Sequence, residues 1–301
     1  MSLITLFSAP KPFTNPHIAT IQHNAIQSWT LLPDIEIILL GAETGLAEAA
    51  RELGVKHLSH VACNENGTPL ISSMFQLVRE NSHSDLLCII NADIILMPDF
   101  LEAAKQVIKS KDKFVLLSQR WDLDLTQPIE FTEDWQNRLS SMVHRQGSLH
   151  RPAGSDFFLF PKFCYQDIPD FTIGRAGWDN WMIYKARKEK WTVIDCTPSV
   201  MIVHQNHDYS HLPGGKPHYE HPDTNENIRL AGGEANIRYT ILDATHQLVD
   251  GKLVRPKMSY LRFMRGVELF LRSVFFFLPE NMIENVARPK RWKKRIMKFF
   301  K

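Results

Sequence analysis

Two periods of apolar residues alternate along the first two-thirds of the chain. Short, nearly continuous apolar runs at residues 3–8, 35–40, 57–61, 85–96 and 114–118 read as strands. Between them, residues 17–31 place Ile18, Ile21, Ala25, Ile26 and Trp29 at helical spacing, and residues 45–53, 71–81 and 100–110 read as further helices. Pro10 and Pro12 end the first strand, because proline cannot donate to a ladder, and Gly41 ends the second. Buried apolar strands alternating with helices predict an α/β fold, a mostly parallel sheet covered on both faces. Ligands in such sheets bind beyond the carboxyl ends of the strands. That marks residues 8–11, 41–43, 91–93 and 118–121 for inspection.

From Asp122 the pattern loosens. Residues 191–195 and 200–203 read as a late strand pair. Residues 208–233, rich in Gly, Pro, His, Asn and Asp, read as a long ordered loop of the kind that is usually functional. No repeat of 20–50 residues is visible, which counts against solenoids and propellers. Residues 260–278 carry charges every three or four positions and suit a helix with a broad apolar face. The expected organisation is one α/β domain over residues 1–250 and a helical, basic extension over 251–301.

Composition narrows the class. With 301 residues, 44% hydrophobic and 23% charged, the chain is globular and long enough to bury its own core. Its four cysteines form no C-x-x-C pair, which argues against a disulfide scaffold or zinc ribbon and suits a reducing compartment. The first ten residues carry no basic segment, so no secretory signal is expected, and no uncharged apolar run reaches the ~20 residues of a membrane span. The formal charge of +2 conceals an asymmetry: eight cations and no acid lie in residues 285–301, leaving 27 basic against 33 acidic residues in the body. An acidic body is a poor match for nucleic acid. The tail, where Trp292, Ile296, Phe299 and Phe300 fall at near-helical spacing among the cations, suits an interfacial helix on anionic lipid. The alternative is a solvated basic end that packs on the acidic body.

The most informative stretch is Leu86-Leu-Cys-Ile-Ile-Asn91-Ala-Asp93-Ile-Ile-Leu-Met-Pro-Asp99-Phe, which drives an apolar strand into a polar step. In an extended chain, alternation puts Asn91 and Asp93 on one side. A buried carboxylate requires a partner. Asp93 therefore reads either as a turn or helix cap or as a ligand for Mg²⁺ or Mn²⁺.

This stretch resembles the D-x-D region of GT-A nucleotide-sugar glycosyltransferases, with Asn91 in place of the first acid and Asp93 as the metal-binding last acid. Three later segments resemble the same family in the same order. Gly154-Ser155-Asp156 leads a strand similar to the one lining the sugar pocket. Gly177-Trp178-Asp179-Asn180-Trp181 resembles the Gly-Trp-acidic segment that opens a helix beside the acceptor. Val200-Met-Ile-Val-His204 resembles the strand ending in a histidine metal ligand. The resemblance covers roughly residues 1–210 and implies a GT-A, Rossmann-like fold, a metal-dependent hexosyltransferase-type activity, and Mn²⁺ or Mg²⁺ held by Asp93 and His204. It implies a donor site at Ser8, Pro10, Glu43, Asn91, Gly154, Ser155 and Asp156, with Trp178 and Trp181 at the acceptor.

Asp179 would be the general base that takes the proton of the attacking hydroxyl. It reads equally as a helix N-cap. Where inverting members of the family carry Glu-Asp, this chain has Asp179-Asn180, so either Asp179 has taken the role or the reaction retains configuration. His204 alone also reads as a satisfied histidine at a strand end, and Trp178 and Trp181 as core. The histidines 204, 207, 211, 218 and 221 allow a zinc reading, which the absence of helical H-x-x-x-H spacing disfavours. The implied partners are a nucleotide-diphosphate sugar, a glycan or lipid-linked acceptor of polysaccharide biosynthesis, and an anionic membrane surface. The expected location is cytoplasmic, peripheral at the inner face of the membrane. One competing reading is a nucleotide-sugar-forming nucleotidyltransferase, disfavoured because Ser-Ala-Pro-Lys-Pro-Phe stands where its glycine-rich phosphate loop belongs. The other is a non-catalytic, membrane-attached sugar-nucleotide-binding protein.

Overall fold

The computed structural model describes residues 2–207, 221–274 and 282. The chain forms two compact units, Met1–Val254 and Arg255–Lys301.

The first unit opens with β1 (Ile4–Ser8), α1 (Pro16–Thr30), β2 (Ile35–Leu40), α2 (Leu46–Glu52), β3 (Lys56–Leu58) and α3 (Ile71–Asn81). It continues with β4 (Leu86–Ile90), β5 (Ile94–Ile95), α4 (Pro98–Ile108), β6 (Phe114–Leu117), β7 (Arg120–Leu123), α5 (Trp135–Gln146), β8 (Ser148–Leu149) and β9 (Phe157–Pro161). It closes with α6 (Trp178–Lys188), β10 (Thr192–Asp195), β11 (Ile202–Gln205), α7 (Pro222–Leu230), β12 (His246–Val249) and β13 (Lys252–Val254). In the second unit the described helix is α8 (Tyr260–Val274). Local chemistry sets several boundaries. Asn15 caps α1 by accepting from the backbone N–H of His17 and Ile18, with Pro16 at the first helical position. Pro98 opens α4 in the same way.

Nine strands form one sheet in the order β13-β12-β10-β6-β9-β4-β1-β2-β3. It is mostly parallel, as expected. Strand β9 runs antiparallel between β4 and β6, and β13 antiparallel at the edge. Alternate residues feed two apolar layers: Leu86, Cys88 and Ile90 of β4 pack with α1 and α4, whereas Leu87 and Ile89 pack with α3 and α6. The sheet is thus covered on both faces. A second sheet, β5-β11-β7-β8, has its own small core with Trp135, Leu139 and Val143 of α5.

Three expectations change. The run over residues 85–96 is not one strand. It stops at Ile90, turns through Asn91-Ala92-Asp93 with the Ile94 N–H donating to the Asn91 carbonyl at 3.2 Å, and resumes as β5 in the other sheet. Asn91 and Asp93 therefore sit in a turn and not on one side of a strand. The late strand pair separates too: β10 pairs with β6 and β12, and β11 with β5 and β7. Residues 197–201 lead from one sheet to the other, and Asp99 Oδ2 accepts the Met201 N–H at 2.8 Å on that path. Of the expected loop, residues 222–230 form α7, capped by the His221 side chain. Residues 208–220 lie outside the described set.

Gly45 precedes α2 with φ +83°, and a Cβ there would stand 2.9 Å from the Cβ of Phe13. Gly45→Ala combines left-handed strain with a clash and should cost about 1–3 kcal/mol. A lower urea midpoint at unchanged slope in equilibrium unfolding is the expected result.

Candidate active site

The carboxyl ends of β1, β2, β4 and β6 open on one side of the large sheet, and the amino end of the reversed strand β9 joins them there. Asp93, in the turn after β4, places Oδ2 at 3.1 Å from His207 Nε2 and 3.9 Å from His204 Nε2. His207 Nε2 is also 3.1 Å from the ammonium of Lys11, beyond the end of β1. One ligand atom each from Asp93, His204 and His207 falls within 4.8 Å of the others.

Backbone pairing fixes this arrangement. His204 on β11 pairs with Ile94 on one side and Asp122 on the other. Next to it, fully buried Gln205 donates through Nε2 to the Asp93 carbonyl at 3.2 Å and the Ile21 carbonyl at 2.7 Å, and accepts from Asn24 at 2.9 Å. Such an amide, satisfied on both ends, locks the Asp93 turn to β11 and α1.

Burial alone would raise the Asp93 carboxyl, but the hydrogen bond to His207 and the charges of His204 and Lys11 outweigh it and hold the group well below the usual carboxylate range. Burial lowers the Lys11 ammonium against the pull of Asp93. For His204, burial works downward and is outweighed by the hydrogen bond to Asp122 and the charge of Asp93, leaving a net rise. Asp93 is thus an ionised carboxylate, yet its Oδ1 is buried and has no hydrogen-bond partner among the described residues. An uncompensated carboxylate oxygen in a low-dielectric site is costly, and a cation relieves the cost. One carboxylate oxygen and two imidazole nitrogens form a donor set that suits a divalent first-row metal. The residues present fit a metal ion.

On the β9 side, Asp156 is 7% exposed, and its Oδ1 accepts from Asn91 Nδ2 at 2.9 Å and an Arg120 guanidinium nitrogen at 2.7 Å. Ser155 is buried beside it, and Gly154, at φ +82°, leaves the space where a Cβ would stand empty. Ser8 and Pro10 are buried where β1 ends, and the turn is held by Gln22, which accepts the Lys11 N–H at 2.6 Å. Glu43 is half-buried beyond β2, and burial raises its carboxyl.

Asp179 stands in the first turn of α6. Burial pushes its carboxyl up to about 6, with the Asn180 N–H opposing and the charge of Asp156 adding to the rise. Asn180 donates through its side chain to the Tyr239 carbonyl at 2.6 Å. Trp178 and Trp181 are 7% and 6% exposed and pack against Phe158 and Phe171 with ring centroids 5.9 and 5.2 Å apart.

No protein-family model and no curated protein matches this sequence. Among solved structures the chain is similar to glucosyl-3-phosphoglycerate synthase from Mycobacterium tuberculosis in complex with Mn²⁺, uridine-diphosphate and glucosyl-3-phosphoglycerate. The identity is 12% and the TM-score 0.49, over 77% of this chain and 81% of that one. It is also similar to a mannosyltransferase from Pyrobaculum calidifontis in complex with GDP-Man and Mn²⁺, at 14% identity and TM-score 0.41, over 67% of this chain and 56% of that one. At such values the likeness concerns the course of the chain, and chemistry has to be read from the side chains.

Sequence reasoning singled out Asp93 and His204 but not the residues around them. His207 stood only within a histidine-rich run; of that run, His211 and His218 lie outside the described residues and His221 caps α7. Lys11 and Arg120 fall inside the strand-end segments marked for inspection, and their charge was the available signal. Asp122 and His150 became visible only with the β7–β11 and β7–β8 pairings. A separate groove of about 570 Å³ lies at the opposite end of the sheet, lined by residues including Leu3, Leu86, Phe114 and Phe163. Two of its cations, Arg79 and Lys162, are engaged by backbone carbonyls of residues 82, 162, 164 and 165.

Proposed function

We propose that the protein is a metal-dependent glycosyltransferase that moves a sugar from a nucleotide-diphosphate sugar to an acceptor hydroxyl. The observation that carries this reading is the Asp93–His204–His207 cluster, with its uncompensated carboxylate oxygen, at the carboxyl ends of parallel strands. A divalent cation held there supplies Lewis-acid neutralisation of charge on a departing nucleotide diphosphate. Two imidazoles favour Mn²⁺ over Mg²⁺, which prefers oxygen ligands. Lys11 adds a fixed positive charge at the same place. Asn91, Asp156 and Arg120 form a hydrogen-bonded edge for the donor sugar, and Ser8, Pro10 and Glu43 line the nucleoside side. Asp179 accepts the proton of the attacking hydroxyl. A carboxyl titrating near 6 is matched to general-base work at neutral pH.

Titration of the full chain with UDP-, GDP- and CMP-sugars, with and without Mn²⁺, tests the reading. Mn²⁺-dependent binding of one of them and release of free nucleotide are expected. Binding that ignores Mn²⁺ throughout, or no release with any donor, overturns it.

The same proposal gives residues 1–250 the transfer reaction and residues 251–301 attachment to the cytoplasmic face of a membrane, with a glycan or lipid-linked acceptor of polysaccharide biosynthesis. The basic residues 285–301 lie outside the described set. In support, α8 leaves Tyr260, Leu261, Phe263 and Phe270 more than half exposed. Near an anionic surface each cation is worth about 1 kcal/mol. Deleting residues 285–301 should therefore release the protein from anionic vesicles in flotation while sparing soluble turnover. Equal flotation of the truncated chain would place the attachment elsewhere.

A further inference from the structure

The geometry points to Asp122 as a positioning residue that sets the tautomer of His204 for metal binding, an inference that rests on the metal-binding part of the reading above. His204 on β11 lies directly across from Asp122 on β7, and its Nδ1 is 3.1 Å from Asp122 Oδ1. An ionised carboxylate can only accept a hydrogen bond, so Nδ1 carries the ring proton. In the neutral ring, the form that binds a metal, the opposite nitrogen Nε2 is a bare lone pair facing Asp93 Oδ2 at 3.9 Å, too far for a hydrogen bond. Two electron-rich groups set face to face and left apart describe a place for a cation. A metal-bound histidine regularly has its other ring nitrogen held by a carboxylate, which fixes the ring and raises its basicity.

Asp122 is itself held on every side. Arg120 Nε donates to Oδ1 at 2.8 Å and His150 Nδ1 meets Oδ2 at 2.6 Å. The same guanidinium reaches Asp156 at 2.7 Å, so the support behind His204 continues into the edge that holds Asn91. His150 comes from the segment just after β8, which pairs with β7 through Asp122 and Ser148. The small sheet thus delivers one ligand and its support from two adjacent strands, and the support's second anchor from the segment that follows a third.

The test compares the full-length wild type, Asp122→Asn, His204→Ala and the double variant. Mn²⁺ alone is titrated calorimetrically, and the ring nitrogens of His204 are read by ¹⁵N NMR in metal-free protein. At alkaline pH, where the ring is neutral, wild-type His204 should be protonated at Nδ1 and bare at Nε2, and Asp122→Asn should lose that preference. Mn²⁺ affinity should fall about 10–100-fold in Asp122→Asn at similar melting temperature, and not fall further when Asp122→Asn is added to His204→Ala. Should Asp122→Asn not fold, Asp122→Glu, which keeps the charge but displaces the acceptor, carries the same comparison. The inference is overturned by a neutral wild-type ring protonated at Nε2, by wild-type protein that does not bind Mn²⁺, by unchanged affinity in the Asp122 variant, or by equal weakening without His204. Turnover is not read, so these outcomes leave sugar transfer to stand or fall on the donor titration.

Discussion

Asp93→Ala and His204→Ala should each lower Mn²⁺-dependent affinity for a nucleotide-sugar by at least ~100-fold while the folded chain persists. A Lewis acid contributes several kcal/mol, and about 1.4 kcal/mol corresponds to each factor of ten. The two residues reach the cluster from different elements, a turn after β4 and the strand β11, so a local packing defect would not explain the same loss in both. Removing either leaves two ligands and an incomplete charge balance. The fold should tolerate the changes, because the backbone pins around Asp93 come from Gln205 and not from its carboxylate. Calorimetric titration with and without Mn²⁺, beside circular dichroism, is the measurement. Wild-type affinity and metal dependence in both variants would remove the site.

Asp179→Asn should cut turnover by about 10²–10⁴-fold, the usual worth of a general base, with donor affinity little changed. The wild-type rate should rise with pH through about 6, where the Asp179 carboxyl loses its proton, and this limb should vanish in the variant. Stability moves the other way. The folded-state value of about 6 lies above the ordinary 3.8, so the folded protein binds the proton more tightly than the unfolded chain. The Asp179 contribution to stability is therefore most favourable below about pH 4, falls as pH rises to about 6, and stays reduced above, by up to about 3 kcal/mol. Partial solvent access makes that figure an upper bound. Asp179→Asn, which cannot ionise, should melt higher than wild type at pH 7 and at no lower temperature at pH 4. A variant that turns over normally, or loses donor binding in step with rate, would make Asp179 a first-turn helix residue beside the Gly177 cap or a donor contact.

The middle of the large sheet was legible because β1, β4 and β6 are buried throughout and announce themselves as apolar runs, whereas the half-buried or exposed β12 and β13 at its edge were not anticipated. The small sheet was not. Strand β7, Arg-Trp-Asp-Leu, and the two-residue strands β5 and β8 are too short or too polar to register as periodic. Asp93 stood out because a carboxylate after five apolar residues is chemically incongruous. Asp122 did not, since its significance comes from lying opposite His204, and register between strands some eighty positions apart cannot be read from local pattern. The break of the run at Asn91 has the same origin: the Asn91 N–H goes to the Asp156 carbonyl at 2.8 Å, a partner that only the reversed strand β9 provides. Trp178 and Trp181 illustrate another limit, because an indole next to a polar segment reads alike whether it faces a ligand or the core.

Running β9 backwards through an otherwise parallel neighbourhood has a consequence for how such a site can diversify. Parallel strands send their loops from the site end back around through a helix, so changing one of those loops risks the crossover behind it. Residues 150–156 instead enter the sheet from the site end, between β8 and the first residue of β9. Insertions or exchanges there need not disturb any helix packed on the sheet. Kept between His150 and Asp156, which hold Asp122, Arg120 and Asn91, they would reshape the wall carrying Gly154 and Ser155 and leave the Asp93 turn and β11 as they are. The fold thereby separates an adjustable wall from a fixed floor. Segment grafts between related chains at positions 151–155 are the natural place to look for altered sugar choice with metal affinity preserved.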